Sequence, residues 1–223
     1  MYFSEDETSR LYADLAVIEA KCAHLFERFL LRNYQHGRGK EFAQHGFMRR
    51  LKVVTRCIER VFALIPPEME VAPDADIRTE TEIYIQAFLA NIFGCFDNLA
   101  WMLLYEKPIS QDNGEPVPPA WIGLRPSNTF LRGKLSAETR EYLHGLDGWF
   151  GYMENYRHAL AHRIPLYIPP AVVSPDHPDG VFRPWIMHSF EEPGVHPFVF
   201  HPQMLSDFST VEAVGLRIVG ELN

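Results

Sequence analysis

The side chains best suited to chemistry cluster within residues 148–170. This stretch contains Glu154, Arg157, His158, His162 and Arg163. A planar guanidinium group matches the geometry of a phosphate and can bind it through two parallel hydrogen bonds. An imidazole has an unperturbed pKa of about 6.5, so it can accept and return a proton at neutral pH. An arginine and two histidines this close in sequence are therefore candidates to bind an anion and to transfer a proton.

The same residues fall on a predicted helix that ends near Arg163. Pro165 lacks a backbone N–H and disfavours the helical conformation of the residue before it, so the helix is expected to stop there. Glu154, His158 and His162 recur every four residues and form one polar stripe. The side expected to face a core carries Leu146, Trp149, Met153, Tyr156, Leu160 and Ile164. In the last turn, the imidazole of His162 interacts favourably with the helix dipole when it is protonated.

The run Arg-His-Ala-Leu-Ala-His at 157–162 resembles the R-x(4–6)-H signature of HEPN domains, in which a polar residue commonly follows the arginine. HEPN domains are up-down helical bundles that commonly dimerise, and the family includes metal-independent ribonucleases, many of them toxins or defence proteins. The resemblance implies that Arg157 contacts the scissile phosphate, that His162 is the acid–base residue and that His158 is the polar companion. It covers roughly residues 11–164 as a helical pattern. It also implies a homodimer, an RNA substrate and an antitoxin protein as partners.

Other residues are candidates to support this site. Asp97 lies within an apolar predicted helix, so its carboxylate needs a partner, either Arg157, Arg163 or a histidine of the polar stripe. The alternative for Asp97 is a purely structural ion pair or a hydrogen bond to the backbone. Glu154 extends the stripe by one turn. The second predicted helix carries a basic line at helical intervals, which is either a solvated face or a contact for RNA or phosphate: Arg49, Lys52, Arg56 and Arg60. The candidate phosphate contacts are Arg56, Arg60 and Arg163.

Two other functions remain open for the polar stripe. His158 and His162 are spaced to bind one metal ion, with Glu154 one turn earlier and Asp97 or His24 to complete the ligands. No HExxH motif supports that site, and we expect neither a resident metal nor a cofactor. Alternatively, the stripe is a non-enzymatic interface between two copies, in which Arg157 pairs with Asp97 and the histidines are exposed.

Composition narrows the protein class. The chain has 223 residues, 47% of them hydrophobic, and a formal net charge of −8, which argues against a general nucleic-acid binder. The three cysteines occupy apolar helical positions and suggest core residues in a reducing compartment. The N-terminus carries no signal-peptide pattern, and the most apolar stretch, 83–105, contains polar residues typical of a buried helix. We therefore expect a cytoplasmic protein with no membrane association.

Hydrophobic periodicity predicts a mainly α fold, an up-down helical bundle with a small C-terminal β-hairpin and a final helix. The predicted helices are 5–33, 40–64, 78–105, a short helix after Ser136, one from about 146 to 163, and 203–222. Residues 35–39 are predicted as a turn and 106–126 as a proline-rich loop. One domain is expected, with the bundle at 5–164, an extended, proline-rich and hairpin segment at 165–202, and the last helix beyond it. The predicted hairpin strands are 185–190 and 196–201.

Overall fold

The computed structural model describes residues 2–174, 176–189 and 197–222. The chain is mainly α-helical with two short antiparallel β-ladders and a final helix, which confirms the predicted fold class. The helices are α1 (Glu5–Leu30), α2 (Gly37–Glu41), α3 (Met48–Leu64), α4 (Ala75–Glu106), α5 (Thr129–Gly133), α6 (Ala137–Gly145), α7 (Asp147–His162) and α8 (Phe200–Gly220). A π-helix spans Phe42–Phe47 and a 3-10 helix spans Pro119–Trp121. The strands are β1 (Val172–Ser174), β2 (His177–Val181), β3 (Trp185–Ile186) and β4 (Phe198–Val199).

Helix α1 begins at a capping box. The Ser4 hydroxyl accepts a hydrogen bond from the backbone N–H of Glu7 at 3.2 Å, and the Glu7 carboxylate accepts one from the Ser4 N–H at 2.8 Å. This reciprocal pair satisfies backbone donors that the start of a helix otherwise leaves unpaired. The seam buried against the bundle consists of Leu11, Ile18, Cys22, Leu25 and Phe29. Its spacing is the one from which the helix was predicted.

Helix α4 lies at the centre of the bundle. It is 32 residues long and packs against α3, α7 and α8. Among the described residues it is the one helix long and apolar enough to cross a membrane, and 61% of its most apolar 18-residue window is buried inside the protein. That burial fits the buried helix expected from the apolar stretch 83–105.

The start of the predicted second helix, 40–64, differs from expectation. Helix α2 begins at Gly37, inside the stretch 35–39 that was predicted as a turn. The cause is a local cap, because the His36 ring nitrogen Nδ1 accepts a hydrogen bond from the Arg38 N–H at 3.1 Å.

A π-helix then separates α2 from α3, where one continuous α-helix was predicted. The stretch Phe42–Phe47 packs between α1 and α4. Phe47 stacks on Phe29 of α1 with 4.6 Å between the ring centroids. Gly46 approaches α4 so closely that an added Cβ would lie 2.7 Å from the side-chain carbon Cγ of Asn98. These contacts place the wider π turn where the chain meets two neighbouring helices at once.

The β structure follows α7. Strand β3 pairs with β4, with Trp185 opposite Val199 and Ile186 opposite Phe198, in agreement with the predicted hairpin. The predicted turn of that hairpin, at 191–194, lies outside the described residues. Strands β1 and β2 form a second ladder within the proline-rich stretch, where no strand was predicted.

Helix α8 begins at Phe200, three residues before its predicted start. Phe200 and His201 were predicted to end a strand, but both are fully buried in the first turn of α8. The Nε2 atom of His201 lies 2.6 Å from the carbonyl oxygen of Ile65. Burial lowers the pKa of His201 to about 4, so its imidazole is neutral at pH 7 and donates to this carbonyl. The alternating pattern of residues 196–201 predicted a strand, but the burial of Phe200 and His201 in the core favours the first turn of α8 instead.

Glu221 is expected to be a main contributor to stability, because it joins the ends of three helices. Burial alone would raise the pKa of its carboxyl, but hydrogen bonds from Ser136 and Lys107 outweigh burial and lower that pKa to about 2. The stabilisation is therefore present above about pH 4.5 and is lost as pH falls towards 2. Replacing Glu221 by glutamine is expected to lower the free energy of unfolding at pH 7 by about 2 kcal/mol, measured by urea denaturation.

The matched control is Glu138→Gln. Glu138 pairs with Arg217 at 3.0 Å, but its side chain is 84% exposed, so the change is expected to cost less than about 0.5 kcal/mol. Equal losses in the two variants would show that Glu221 is no more than a surface ion pair.

Candidate active site at the end of helix α7

The last two turns of α7 expose most of the predicted chemical side chains. The exposed residues are Arg157, His158, His162 and Arg163. Tyr156 and Ala159, on the opposite side of these turns, are buried in the core. The helix ends at His162, and the backbone N–H of Arg163 closes it on the carbonyl oxygen of Ala159 at 3.1 Å. The predicted helix end is therefore confirmed, and the chemical residues stand at the surface of the bundle.

Arg157 holds its charge against the surface of α4. The central carbon of its guanidinium lies 4.3 Å from the centroid of the Phe93 ring, within the range of a cation–π interaction. Phe93 is only 6% exposed, so its ring is a fixed platform for that group. In the part of the chain that the structure describes, no hydrogen bond or ion pair joins Arg157 to a carboxylate. Its N–H donors are available to an anionic ligand.

His158 and His162 lie one turn apart on the exposed side of α7. Their ring centroids are 6.2 Å apart and the ring planes are tilted by 45°. The metal alternative requires at least one more ligand beside this pair. Within residues 2–174, 176–189 and 197–222, no three His, Cys, Asp or Glu side chains are placed to hold a metal ion, so neither Asp97 nor His24 completes the site.

Asp97 lies half-buried on α4 among three arginines. Burial raises the pKa of the Asp97 carboxyl, while Arg157, then Arg125 and Arg50, act in the opposite direction. No hydrogen bond or ion pair within the described residues ends on Asp97. Arg157, a partner expected from the sequence, is thus its strongest electrostatic neighbour without forming a direct ion pair.

Glu154 is occupied by the loop that precedes α5. The Nη1 atom of Arg125 lies 3.1 Å from a carboxylate oxygen of Glu154. The structure thus places Glu154 in an ion pair that attaches this loop to α7. Of the three residues in the predicted polar stripe, Glu154 is in an ion pair, whereas His158 and His162 are exposed.

The arginines predicted to contact phosphate are not assembled around α7. Arg56 pairs with Glu59 at 2.9 Å, and Arg60 pairs with Glu80 at 2.8 Å. Both pairs are local to α3 and α4 and offset the positive charge of the basic line. Arg163 lies 3.5 Å from the Asn155 side-chain oxygen, at the limit of a hydrogen bond, so it remains part of the exposed end of α7.

Sequence reasoning missed Arg50 of α3, which packs against α4 between Asn91 and Asn98. Its Nε atom donates to the side-chain oxygen of Asn98 at 3.0 Å, and its Nη1 atom donates to that of Asn91 at 3.2 Å. Its guanidinium lies flat on Gly94, where an added Cβ would be 2.4 Å from the central carbon. The available signal was Gly94 itself, a gap in a helix of bulky residues.

The arrangement places one guanidinium and two imidazoles at the same end of α7, on different sides of the helix. Arg157 and His162 are five residues apart, which places them about 7.5 Å apart along the helix axis and about 140° apart around it. Arg157 points to α4, whereas His162 stands at the open end of the helix with His158. A substrate that contacts both must span the end of α7 or lie between two such ends.

The chain matches no protein-family model, no curated protein sequence and no solved structure.

Proposed function

We propose that the chain is a metal-independent endoribonuclease that acts as a homodimer, with Arg157 and His162 as its catalytic residues. The observation that carries the proposal is an exposed arginine without a carboxylate partner among the described residues, beside two exposed imidazoles on the same helix end. The resemblance of 157–162 to the HEPN signature assigns the same roles to these residues.

The proposed reaction is a transesterification within the RNA strand, in which phosphorus forms a bond to the 2′-oxygen and loses its bond to the 5′-oxygen. His162 takes the proton of a ribose 2′-hydroxyl, and the resulting oxyanion attacks the adjacent phosphorus. Arg157 binds the non-bridging oxygens, whose negative charge is stabilised by its two parallel N–H donors. The bond to the 5′-oxygen breaks, and that oxygen takes up a proton from the imidazolium or from water. The products are a 2′,3′-cyclic phosphate and a 5′-hydroxyl.

A second copy is part of the proposal because one copy separates the two catalytic groups. A twofold axis near the end of α7 would bring Arg157 of one copy towards His162 of the other. Apolar surface for such contact is present, since Ile164, two residues after the end of α7, is 56% exposed and Ile83 of α4 is 60% exposed. Ile83 lies one turn from Gln86, whose side chain donates to the Leu166 carbonyl at 3.0 Å, so α4 and the segment after α7 are adjacent.

The test is cleavage of a mixed RNA pool in excess EDTA. Wild type is expected to cleave under chelation, and His162→Ala is expected to lose at least about 100-fold in rate, the usual contribution of a general base. His144→Ala is the matched control, because His144 is an exposed histidine of α6 that contacts Asp147 at 3.3 Å.

The same assay separates the alternatives. Cleavage that requires added divalent metal would contradict a metal-independent mechanism. Equal cleavage by wild type and His162→Ala would remove both catalytic assignments.

The second candidate is a non-catalytic binding or assembly module. The electrostatic proximity of Arg157 and Asp97 favours it, because that arrangement could serve an interface without chemistry. No cleavage by folded wild type would make this candidate the better account.

For the nuclease, a toxin-like activity in the cytoplasm implies an antitoxin protein that covers the end of α7, and its addition is expected to stop cleavage.

A further inference from the structure

A groove of about 240 Å³ opens on the bundle surface between the start of α3 and α4. Its polar lining consists of His45, Arg49, Arg50, Asn91 and Asn98. Three of these side chains are basic, and none of the described lining residues carries a carboxylate. The nuclease proposal does not use this groove, whose charge is suited to an anion.

Arg50 is held in this groove as a directed donor. Its Nε and Nη1 atoms are fixed by the side-chain oxygens of Asn98 and Asn91, and Asn91 is itself fixed through its Nδ2, which donates to the Ala87 carbonyl at 2.8 Å. The flat contact with Gly94 sets the plane of the guanidinium. Within the described residues, no hydrogen bond leaves its Nη2 atom. An arginine immobilised before binding loses little conformational entropy when a ligand arrives.

The wall of the groove opposite α4 includes the π-helix. His45 and Gly46 belong to Phe42–Phe47. π-helical turns are rare overall, but those that occur are often found at functional sites. Gly46 lacks a side chain where it faces Asn98, which lets the backbone carrying His45 approach α4. Arg49 follows one turn after His45 and is exposed beside it.

The groove and the end of α7 lie on either side of one segment of α4, 93–98. Arg157 covers Phe93, and Arg50 covers Gly94 and reaches Asn98. Both arginines act electrostatically on Asp97, together with Arg125, so three cations surround one carboxylate. A chain of phosphates crossing this segment would meet Arg157 on one side and Arg50 on the other.

We propose that the groove binds a backbone phosphate of single-stranded RNA, a neighbour of the scissile phosphate, with Arg50 as the fixed donor and Arg49 and His45 as further contacts. The inference rests on the proposed nuclease function and assigns it a single strand that crosses α4. Arginine is suited to this role because its planar fork matches phosphate oxygens, and a lysine in its place would keep the charge but lose the fork.

The test measures binding and not cleavage. A fluorescent 2′-O-methyl RNA lacks the attacking hydroxyl, so its affinity reports the groove whether or not the protein is a nuclease. Arg50→Lys is expected to weaken binding about tenfold and to leave the slope of log affinity against log salt nearly unchanged, because lysine keeps the charge but loses the fork. The control is Arg10→Ala, because Arg10 is exposed near the N-terminus of α1. This change is expected to alter neither the affinity nor the salt slope.

Gly94→Ala is a second variant, so that the test of the groove does not depend on Arg50→Lys alone. Its new methyl group displaces the Arg50 guanidinium from α4 while every charge is retained, and alanine favours the helix. We expect the same loss of affinity with a helical circular dichroism spectrum equal to wild type. Unchanged affinity in both folded variants, or no binding of the RNA by wild type, would overturn the proposal. A nuclease defect alone, with intact binding that depends on Arg50, would overturn only the proposed chemistry.

Discussion

A one-to-one mixture of Arg157→Ala and His162→Ala protomers is expected to recover about a quarter of the wild-type RNA cleavage, although neither variant cleaves alone. The reason is the angle of about 140° between these two residues around α7, which directs their side chains to different sides of one copy. In a dimer with composite sites, Arg157 comes from one copy and His162 from the other. Random mixing makes about half of the dimers mixed, and each mixed dimer retains one intact site of two.

The measurement uses co-expressed variants with two different affinity tags, so that the mixed dimer is purified before assay. Its expected activity is about half that of wild type, since one of two sites is intact. Dimer formation is checked by light scattering during gel filtration. An inactive mixed dimer would mean that each site uses Arg157 and His162 of the same chain, and a monomeric wild type would exclude the composite site.

The helices of this bundle could be predicted because burial of one side of a helix requires apolar residues at regular intervals in the sequence. The seam of α1 and the apolar α4 both follow spacings of three and four residues, and both helices form where expected. The π-helix could not be predicted in the same way. One extra residue per turn changes the spacing only locally, and its cause lies in contacts with Phe29 and Asn98, which are far away in sequence.

The site was predictable to a similar degree and for similar reasons. Exposure of Arg157, His158 and His162 follows from their position on an amphipathic helix that a proline ends. Their neighbours do not follow. Arg125 reaches Glu154 from a loop without periodicity, and Arg50 meets α4 through side chains more than 40 residues later. Local pattern locates an element and its faces, whereas pairing between elements depends on tertiary packing.

Asp207 is a buried carboxylate that hydrophobic periodicity does not reveal. It lies on α8, fully buried, and its Oδ1 atom accepts hydrogen bonds from Trp149 of α7 and from Gln203, both at 2.8 Å. Its Oδ2 atom and the nearby hydroxyl of Tyr152 have no hydrogen-bond partner among the described residues. Burial raises the pKa of Asp207 to about 6, although the two hydrogen bonds act in the opposite direction.

Replacing Asp207 by asparagine is therefore expected to stabilise the protein at neutral pH. The folded-state pKa lies above the unfolded value of about 3.9, so the folded state binds a proton more tightly and the free energy of unfolding falls as pH rises from about 4 to 6. A shift of about two pKa units corresponds to about 3 kcal/mol. Asparagine keeps the Oδ1 acceptor and removes the buried charge, so at pH 7.5 the variant is expected to be up to about 3 kcal/mol more stable.

Urea denaturation of wild type and Asp207→Asn between pH 4 and 8 measures this difference. The variant is expected to be nearly as stable as wild type at pH 4, and the two are expected to diverge towards pH 7. Asp14→Asn, on the exposed side of α1, is the control and is expected to follow wild type throughout. A variant less stable than wild type at pH 7.5 would mean that the ionised carboxylate is well compensated by Trp149 and Gln203. Because Trp149 belongs to α7, the carboxylate would then be a structural anchor for the helix that carries Arg157 and His162.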